Sequence, residues 1–312
     1  MILLDRIRAN RKLNTTAAVT TRRLKPETFT GFVFLVPALA MFLIIEVFAI
    51  PYNIYMGFHE WNGFRPPEWV GLNNYRILFD DQLFWNAVLN NVFFVIGSLT
   101  IMMGLALFIA IILDSGIPGA GIFRGMIFLP VITPAIVVGL AWTRVLSVQN
   151  GLLNQTLETV GLGALTSDWL GNPSLALPSV IAVFIWRWVG YGVILFGAAL
   201  LDIDEDLKDA ASIDGANTFE TVRYIVIPLL RPIILIMGIW YTILSIRVFA
   251  LVFILTNGGP FDASEVVNTY LYKQVFTYFD IGLGSAMANL VLLTLIVIVV
   301  VRSQFNKRFS LD

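Results

Sequence analysis

DAASIDGANTFETVRYIVIP, residues 209–228, decides the fold because it is a short charged segment between two long apolar runs. Apolar and charged side chains from Asp206 to Asp214 recur at mostly helical spacing, which predicts a short amphipathic helix. Gly215 follows at the point where a helix ends with a residue of positive φ. Pro228 begins the next apolar run, as expected for the first turn of a helix. The segment therefore predicts a helical connector whose flat alanine face suits a groove on a partner protein.

The composition of the chain places it in a membrane. Hydrophobic residues make up 58% of the chain, charged residues make up 13%, and the mean hydropathy is +0.82. Soluble domains carry about 25% charged residues, so an ordinary soluble domain is excluded. A helix needs about 20 apolar residues to cross a bilayer. Six stretches of the sequence qualify, which predicts an all-α integral membrane protein with six transmembrane helices: 31–57, 87–113, 123–146, 176–201, 228–256 and 284–301.

The distribution of Lys and Arg predicts the orientation of these helices. Seven such residues precede residue 30 and three follow residue 301, whereas the loop 147–175 has none and the loop 257–283 has only Lys273. Cytoplasmic loops carry an excess of basic residues, so both termini and the loop 202–227 are expected in the cytoplasm. The predicted parts are a cytoplasmic tail over 1–29, a membrane domain over 30–302 with its connector loop at 202–228, a cytoplasmic tail over 303–312, and outer segments at 58–86 and 147–175.

Four stretches of the sequence resemble one protein family. The connector resembles the EAA loop of the membrane subunits of bacterial ABC importers, with Asp in the Glu position. The matching positions are Asp209, Ala210, Ala211, Gly215, Ile225, Ile227 and Pro228. Three further stretches are similar to the carbohydrate-uptake branch, which contains the maltose and glycerol-phosphate permeases: Val70–Asn91, Phe128–Asn154 with FLPVITPAIVVGLAWTRVL and GLLN, and LTNGGP at Leu255–Pro260.

The resemblance implies an ABC type I importer permease fold in the bacterial inner membrane. It implies a second permease subunit that is a paralogue, two ATP-binding subunits, and a soluble solute-binding protein that delivers a carbohydrate. The chain has no GxxxxGK[ST] phosphate loop. ATP and Mg are therefore expected on the partner ATPase, and this chain is expected to hold no cofactor or metal and to be no enzyme. The helix 206–215 would couple ATPase motion to alternating access through Asp209, Ala210, Ala211, Asp214, Gly215 and Pro228.

Three ionisable residues lie within the predicted membrane helices and away from their ends. Glu46 lies in the first, Arg187 in the fourth and Arg247 in the fifth. Charged side chains at this depth cost about 2.5–3.5 kcal/mol on insertion scales, so they usually face a cavity or a partner. Each arginine can pair with Glu46, contact a second membrane subunit or face the substrate. Together the two arginines would also suit an anionic sugar, because a guanidinium binds oxyanions bidentately.

The fourth and fifth predicted helices also carry the side chains that bind sugars. Aromatic rings stack on sugar C–H faces, while hydroxyl and amide groups bind the OH groups. In the related permeases the pocket lies on these two helices, which assigns Trp188, Tyr191 and Ser245 to the substrate pathway and leaves Val248 without a polar role. Tyr241, Ser245 and Phe249 recur every four residues, which predicts one helix face. Asn91 either holds helices together or reaches a cavity.

Two other classes of function are weighed against the importer. An ion-coupled secondary transporter is the alternative, and the isolated Glu46 is the feature that favours it. An intramembrane enzyme lacks support because no cluster of Asp, His or Lys occurs at one membrane depth. The only histidine, His59, is expected to be a solvated loop residue, and cysteines are absent. The net charge is −1, and the basic residues are segregated by topology rather than spread over one surface, so there is no nucleic-acid footprint.

Overall fold

The computed structural model describes residues 26–309, with side chains for residues 33–301. The chain forms two compact units, of which the first ends at Tyr52 and the second begins at Asn53. Most of the predicted tail 1–29 lies outside the described residues. The last helix continues through Phe309 and so includes most of the predicted tail 303–312.

The described part of the chain is almost entirely helical. The first unit contains α1 and a π turn at Leu43–Val47, which holds Glu46. Two short strands form one antiparallel pair in which His59 lies opposite Trp69. In chain order the elements are α1 Pro26–Phe42, α2 Ala49–Met56, β1 His59–Glu60, β2 Glu68–Trp69, α3 Asn73–Asp80, α4 Gln82–Asp114, α5 Ala120–Ile132, α6 Ala135–Val145, α7 Leu152–Thr159, α8 Pro173–Leu201, α9 Glu205–Ile213, α10 Thr218–Thr221, α11 Ile227–Leu229, α12 Arg231–Ile246, α13 Ala250–Leu255, α14 Val267–Phe276 and α15 Ile281–Phe309.

Among the described residues, four helices are long and apolar enough to cross a membrane, and two bent pairs of helices raise the number to as many as six. The four are Val33–Met56, Gln82–Asp114, Pro173–Leu201 and Ile281–Val301. The pair α5 and α6 bends by 100°, and the pair Thr218–Leu229 and Arg231–Ile246 bends by 70°. The third and fifth predicted helices are therefore not continuous.

Proline explains the break between α5 and α6. Thr133 is extended, with φ −75° and ψ 133°, because a residue before proline is disfavoured in the helical region. Pro134 then occupies the N-cap of α6. Pro178 lies within α8 without breaking it, so a proline alone does not fix where a membrane helix breaks.

The core of the second unit lies where α4, α8 and α12 cross. Phe94 and Phe184 meet edge to face with ring centroids 5.0 Å apart, which is the geometry that aromatic quadrupoles favour. Gly190 allows α8 to approach the backbone of α5, since a Cβ at this position would collide with the Ile127 carbonyl oxygen. Gly192 likewise leaves room for the Tyr241 side chain on α12, since a Cβ at this position would collide with the Tyr241 hydroxyl oxygen. Small residues thus permit close helix packing where no hydrophobic effect acts between helices.

Intramembrane amides join the helices of the second unit. Asn90 donates to the carbonyl oxygen of Glu265 at 2.9 Å, and Asn91 accepts from the backbone N–H of Val267 at 2.8 Å. Asn53 donates to the Asn289 side chain at 2.8 Å. These bonds hold the helices together, although Asn91 also lines a groove.

The prediction for His59 is wrong. Its side chain is buried, with Nδ1 2.8 Å from the Tyr55 carbonyl oxygen and the ring edge-on to Trp69 at 5.0 Å. The antiparallel strand pair places His59 opposite Trp69. A lone histidine in a loop-like sequence gave no sign of these aromatic neighbours.

Candidate coupling loop and translocation cleft

The predicted connector helix is confirmed as α9, which begins one residue earlier than expected. Asp204 caps its N-terminus by accepting from the Asp206 backbone N–H at 3.1 Å. Gly215 ends the turn with φ +86°, and its N–H donates to the Ser212 carbonyl oxygen at 3.1 Å. A side chain is disfavoured in this left-handed conformation, so the sequence identified the end of the helix correctly.

One face of α9 packs on the protein and the other is free. Ala211 is buried, whereas Ala210, Asp209 and Asp214 are exposed. The alanine pair therefore does not form one outward face, because only Ala210 points away from the chain's own core. Ile213 is 84% exposed, which leaves a large apolar side chain beside the acidic ones.

The connector is tied to the longest helix of the second unit by one ion pair. Lys208 on α9 donates to the Asp114 carboxylate at 3.1 Å, and Asp114 is the last residue of α4. Two further exposed aromatic side chains follow in the same loop, Phe219 at 73% and Tyr224 at 71%. Exposed apolar side chains beside charges are typical of a protein interaction site.

The chain returns from the connector to α12 through a capped turn. Asn217 accepts from the Glu220 backbone N–H at 3.0 Å, and Glu220 accepts from the Asn217 N–H at 2.8 Å, which forms a capping box. Pro228 lies in the first turn of the short helix α11 rather than of the long apolar helix. The apolar helix begins after the bend, at Arg231.

A cleft of about 400 Å³ opens between α8 and the end of α12. It brings together three of the predicted pathway residues, namely Arg187, Trp188 and Arg247, and also Val248. Arg187 lies over the Trp188 ring at 4.9 Å and donates from Nη2 to the Thr133 carbonyl oxygen at 3.2 Å. The cleft thus combines cationic groups with aromatic faces, which suits a polar ligand that has an apolar side.

Three predicted pathway residues do not line this cleft. Tyr191 does not line the cleft, but its ring stacks on that of Trp240, which does, with the ring centroids 5.6 Å apart. Ser245 is fully buried, and its hydroxyl donates to the Tyr241 carbonyl oxygen at 2.8 Å and lies 2.8 Å from the Ser98 hydroxyl. Asn91 lines a separate apolar groove of about 230 Å³ between α4 and α15.

Phe249 and Trp240 also differ from the sequence interpretation. Phe249 does not share a helix face with Tyr241, because α12 ends at Ile246 and Phe249 has φ −144° and ψ −66° before α13. Phe249 nevertheless lines the cleft. The sequence analysis missed Trp240, although a spacing of seven residues, close to two helical turns, relates it to Arg247 at the C-cap of α12.

The fold and these two features define a polytopic helical membrane protein with a cleft among its helices and an exposed helical connector. The chain belongs to the family of binding-protein-dependent transport system inner membrane components, whose model matches residues 102–310. It is 34% identical over 279 residues to the probable ABC transporter permease protein YurN of Bacillus subtilis (strain 168), covering 88% of this chain and 95% of that protein.

A relative with a known transport system and a solved structure are also similar. The chain is 33% identical over 279 residues to the diacetylchitobiose uptake system permease protein NgcF of Streptomyces coelicolor, covering 85% of this chain and 79% of that protein. A bacterial ABC transporter involved in the import of the acidic polysaccharide alginate superposes with a TM-score of 0.79 at 21% identity, over 90% of this chain and 96% of that one. This likeness supports the ABC importer permease fold.

Proposed function

We propose that this chain is the membrane-spanning subunit of an ATP-driven sugar importer in the bacterial inner membrane. It forms half of the translocation pathway, and each bent pair of helices counts as one of its six spans, with both termini in the cytoplasm. A second permease, two ATP-binding subunits and a soluble solute-binding protein complete the assembly. Family membership and the diacetylchitobiose system of a relative support this proposal.

The observation that carries the proposal is the connector. Its helix α9 presents Asp209, Ala210 and Ile213 to solvent while Lys208 ties it to the end of α4. An ATPase subunit that binds this surface would therefore move α4 together with α9. A rigid helix that contacts both the ATPase and α4 can transmit a movement of the ATPase to the membrane helices. ATP and Mg belong to the ATPase subunits, and this chain supplies the connector rather than a nucleotide site.

The sugar path is assigned to the cleft between α8 and α12. Trp188 and Trp240 supply aromatic faces, and the open side of the cleft is where the paralogous permease would complete it. The solute-binding protein would release the sugar from the outer side, where the segment 58–86 lies.

Cross-linking tests the coupling directly because the chain has no cysteine. Ile213→Cys places a single thiol on the exposed face of α9, and Phe64→Cys, at a position that is 82% exposed, places one on the outer segment. With a maleimide–benzophenone reagent on the assembled complex, Ile213→Cys should photo-cross-link to the ATPase subunit and Phe64→Cys should not. Equal cross-linking of both variants, or of neither, would contradict the assignment of α9 as the coupling helix.

A further inference from the structure

The cleft between α8 and α12 contains two arginines that face no acidic partner. Arg187 and Arg247 both line it, 60 residues apart in the sequence, and no acidic side chain occurs among the described residues that line the cleft. The ion pairs found within residues 53–301 are Lys208–Asp114 and Lys273–Glu265, so neither arginine takes part in one there. Two like charges in one cleft repel each other unless an anion lies between or beside them.

The environment of Arg187 shows an unused donor. One of its terminal nitrogens donates to the Thr133 carbonyl oxygen, but its Nε is buried and has no hydrogen-bond partner among the described residues. Buried polar groups in proteins are nearly always satisfied, so an isolated N–H calls for an acceptor. The guanidinium carbon lies 4.9 Å from the centroid of the Trp188 ring. The fork that this group presents matches the two oxygens of a carboxylate, sulfate or phosphate.

The surrounding side chains indicate what carries that anion. Trp188 and Trp240 line the same cleft and offer flat apolar faces beside the two cations. A sugar ring has apolar C–H faces, and a volume of about 400 Å³ is within the range of small-ligand sites. An inorganic anion alone would leave these aromatic faces unused.

We propose that Arg187 and Arg247 bind the anionic group of an acidic saccharide, so the transported substrate carries a carboxylate, sulfate or phosphate. This inference rests on the proposed function of the chain as a sugar importer. Selectivity for charge is then built into the membrane subunit, in addition to any selectivity of the binding protein.

The test is ATP-driven uptake by proteoliposomes that contain the complete transporter and its binding protein. The probes are digalacturonate and galactobiose, which differ in the carboxylates, together with their sulfated and phosphorylated counterparts. We expect uptake of an acidic probe only, and we expect Arg187→Gln and Arg247→Gln each to raise its half-saturating concentration about tenfold or more, as for a lost charged hydrogen bond. Arg187→Lys and Arg247→Lys should each raise the half-saturating concentration less than the Gln variants do, because lysine keeps the charge but lacks the fork.

The control variant is Arg124→Gln, because Arg124 lies on α5 outside the cleft and contacts the Leu113 carbonyl oxygen at 3.4 Å. It should leave the half-saturating concentration unchanged. The binding protein is identical in every sample, so a change confined to the cleft variants belongs to the permease.

Three results would overturn the inference. Uptake of the neutral probe with unchanged kinetics in both arginine variants refutes the anion site and leaves the importer intact. Loss of the second permease from the purified complex in these variants, with an unchanged half-saturating concentration in the complexes that retain it, shows that the arginines serve the subunit interface. Failure of any ATPase to copurify with the wild-type chain refutes the proposed function itself.

Discussion

Replacing Gly215 tests whether the geometry of the connector controls its binding to the ATPase. Gly215 has φ +86°, and a Cβ built at this position meets no heavy atom within 4 Å. The cost of Gly215→Ala is therefore conformational rather than steric, about 1–2 kcal/mol for a left-handed non-glycine residue. If binding requires this turn, the affinity of the permease for the ATPase falls by up to about 5–30-fold. Gly215→Asn should lose less, because asparagine tolerates this conformation.

A matched control separates this effect from general strain. Gly161 has φ +80°, and a Cβ built at this position also meets no heavy atom within 4 Å. It lies after α7, in the segment 147–175, which the proposed orientation places on the outer side. Gly161→Ala should therefore strain the backbone by a similar amount without changing ATPase affinity. The assay is titration of detergent-solubilised permease, immobilised on beads, with purified ATPase subunit. The reasoning is refuted if Gly161→Ala weakens binding as much as Gly215→Ala, or if Gly215→Asn is no better than Gly215→Ala.

Three further predictions concern the membrane domain. Lys208→Asp or Asp114→Lys alone should reduce saccharide-stimulated ATP hydrolysis, and the double variant should restore it. The partly buried pair contributes about 0.2–1 kcal/mol to stability, and a double-mutant cycle with zero coupling would contradict its role. Gly190→Ala should destabilise the solubilised protein by about 1–3 kcal/mol through overpacking against a neighbouring backbone, seen as a lower Tm, whereas Gly121→Ala, with open space around its Cβ, should not. Ser245→Ala should lower the unfolding free energy by about 0.5–1.5 kcal/mol while leaving the half-saturating saccharide concentration unchanged, and a large kinetic effect would return Ser245 to the substrate pathway.

The connector helix could be predicted from the sequence because the signals that define it are local. Helical spacing and a glycine of positive φ each depend on neighbours within four residues. The apolar stretches are local signals as well, since length and hydropathy alone indicate a membrane helix. These features explain why α9, Gly215 and the long helices α4, α8 and α15 agree with the sequence analysis.

The breaks and the contents of the cleft depend on tertiary neighbours and could not be predicted in this way. Pro134 breaks a membrane helix and Pro178 does not, so the presence of a proline in the sequence does not decide which membrane helix is broken. Ser245 on α12 and Arg247 at its C-cap lie two residues apart, yet Ser245 bonds to α4 and Arg247 lines the cleft. Spacing assigns residues to faces of a helix but does not say which face meets another helix.

The most direct test of the central claim is the ATP dependence of transport by the reconstituted complex. The complex would contain this chain, its partner permease, the ATPase subunits and the binding protein in proteoliposomes, with ATP enclosed or absent and with proton or sodium gradients imposed or collapsed. The account predicts saccharide uptake that requires ATP and is independent of the ion gradients. Uptake by this chain without ATP or an ATPase subunit, driven by an ion gradient and abolished by Glu46→Gln, would contradict it.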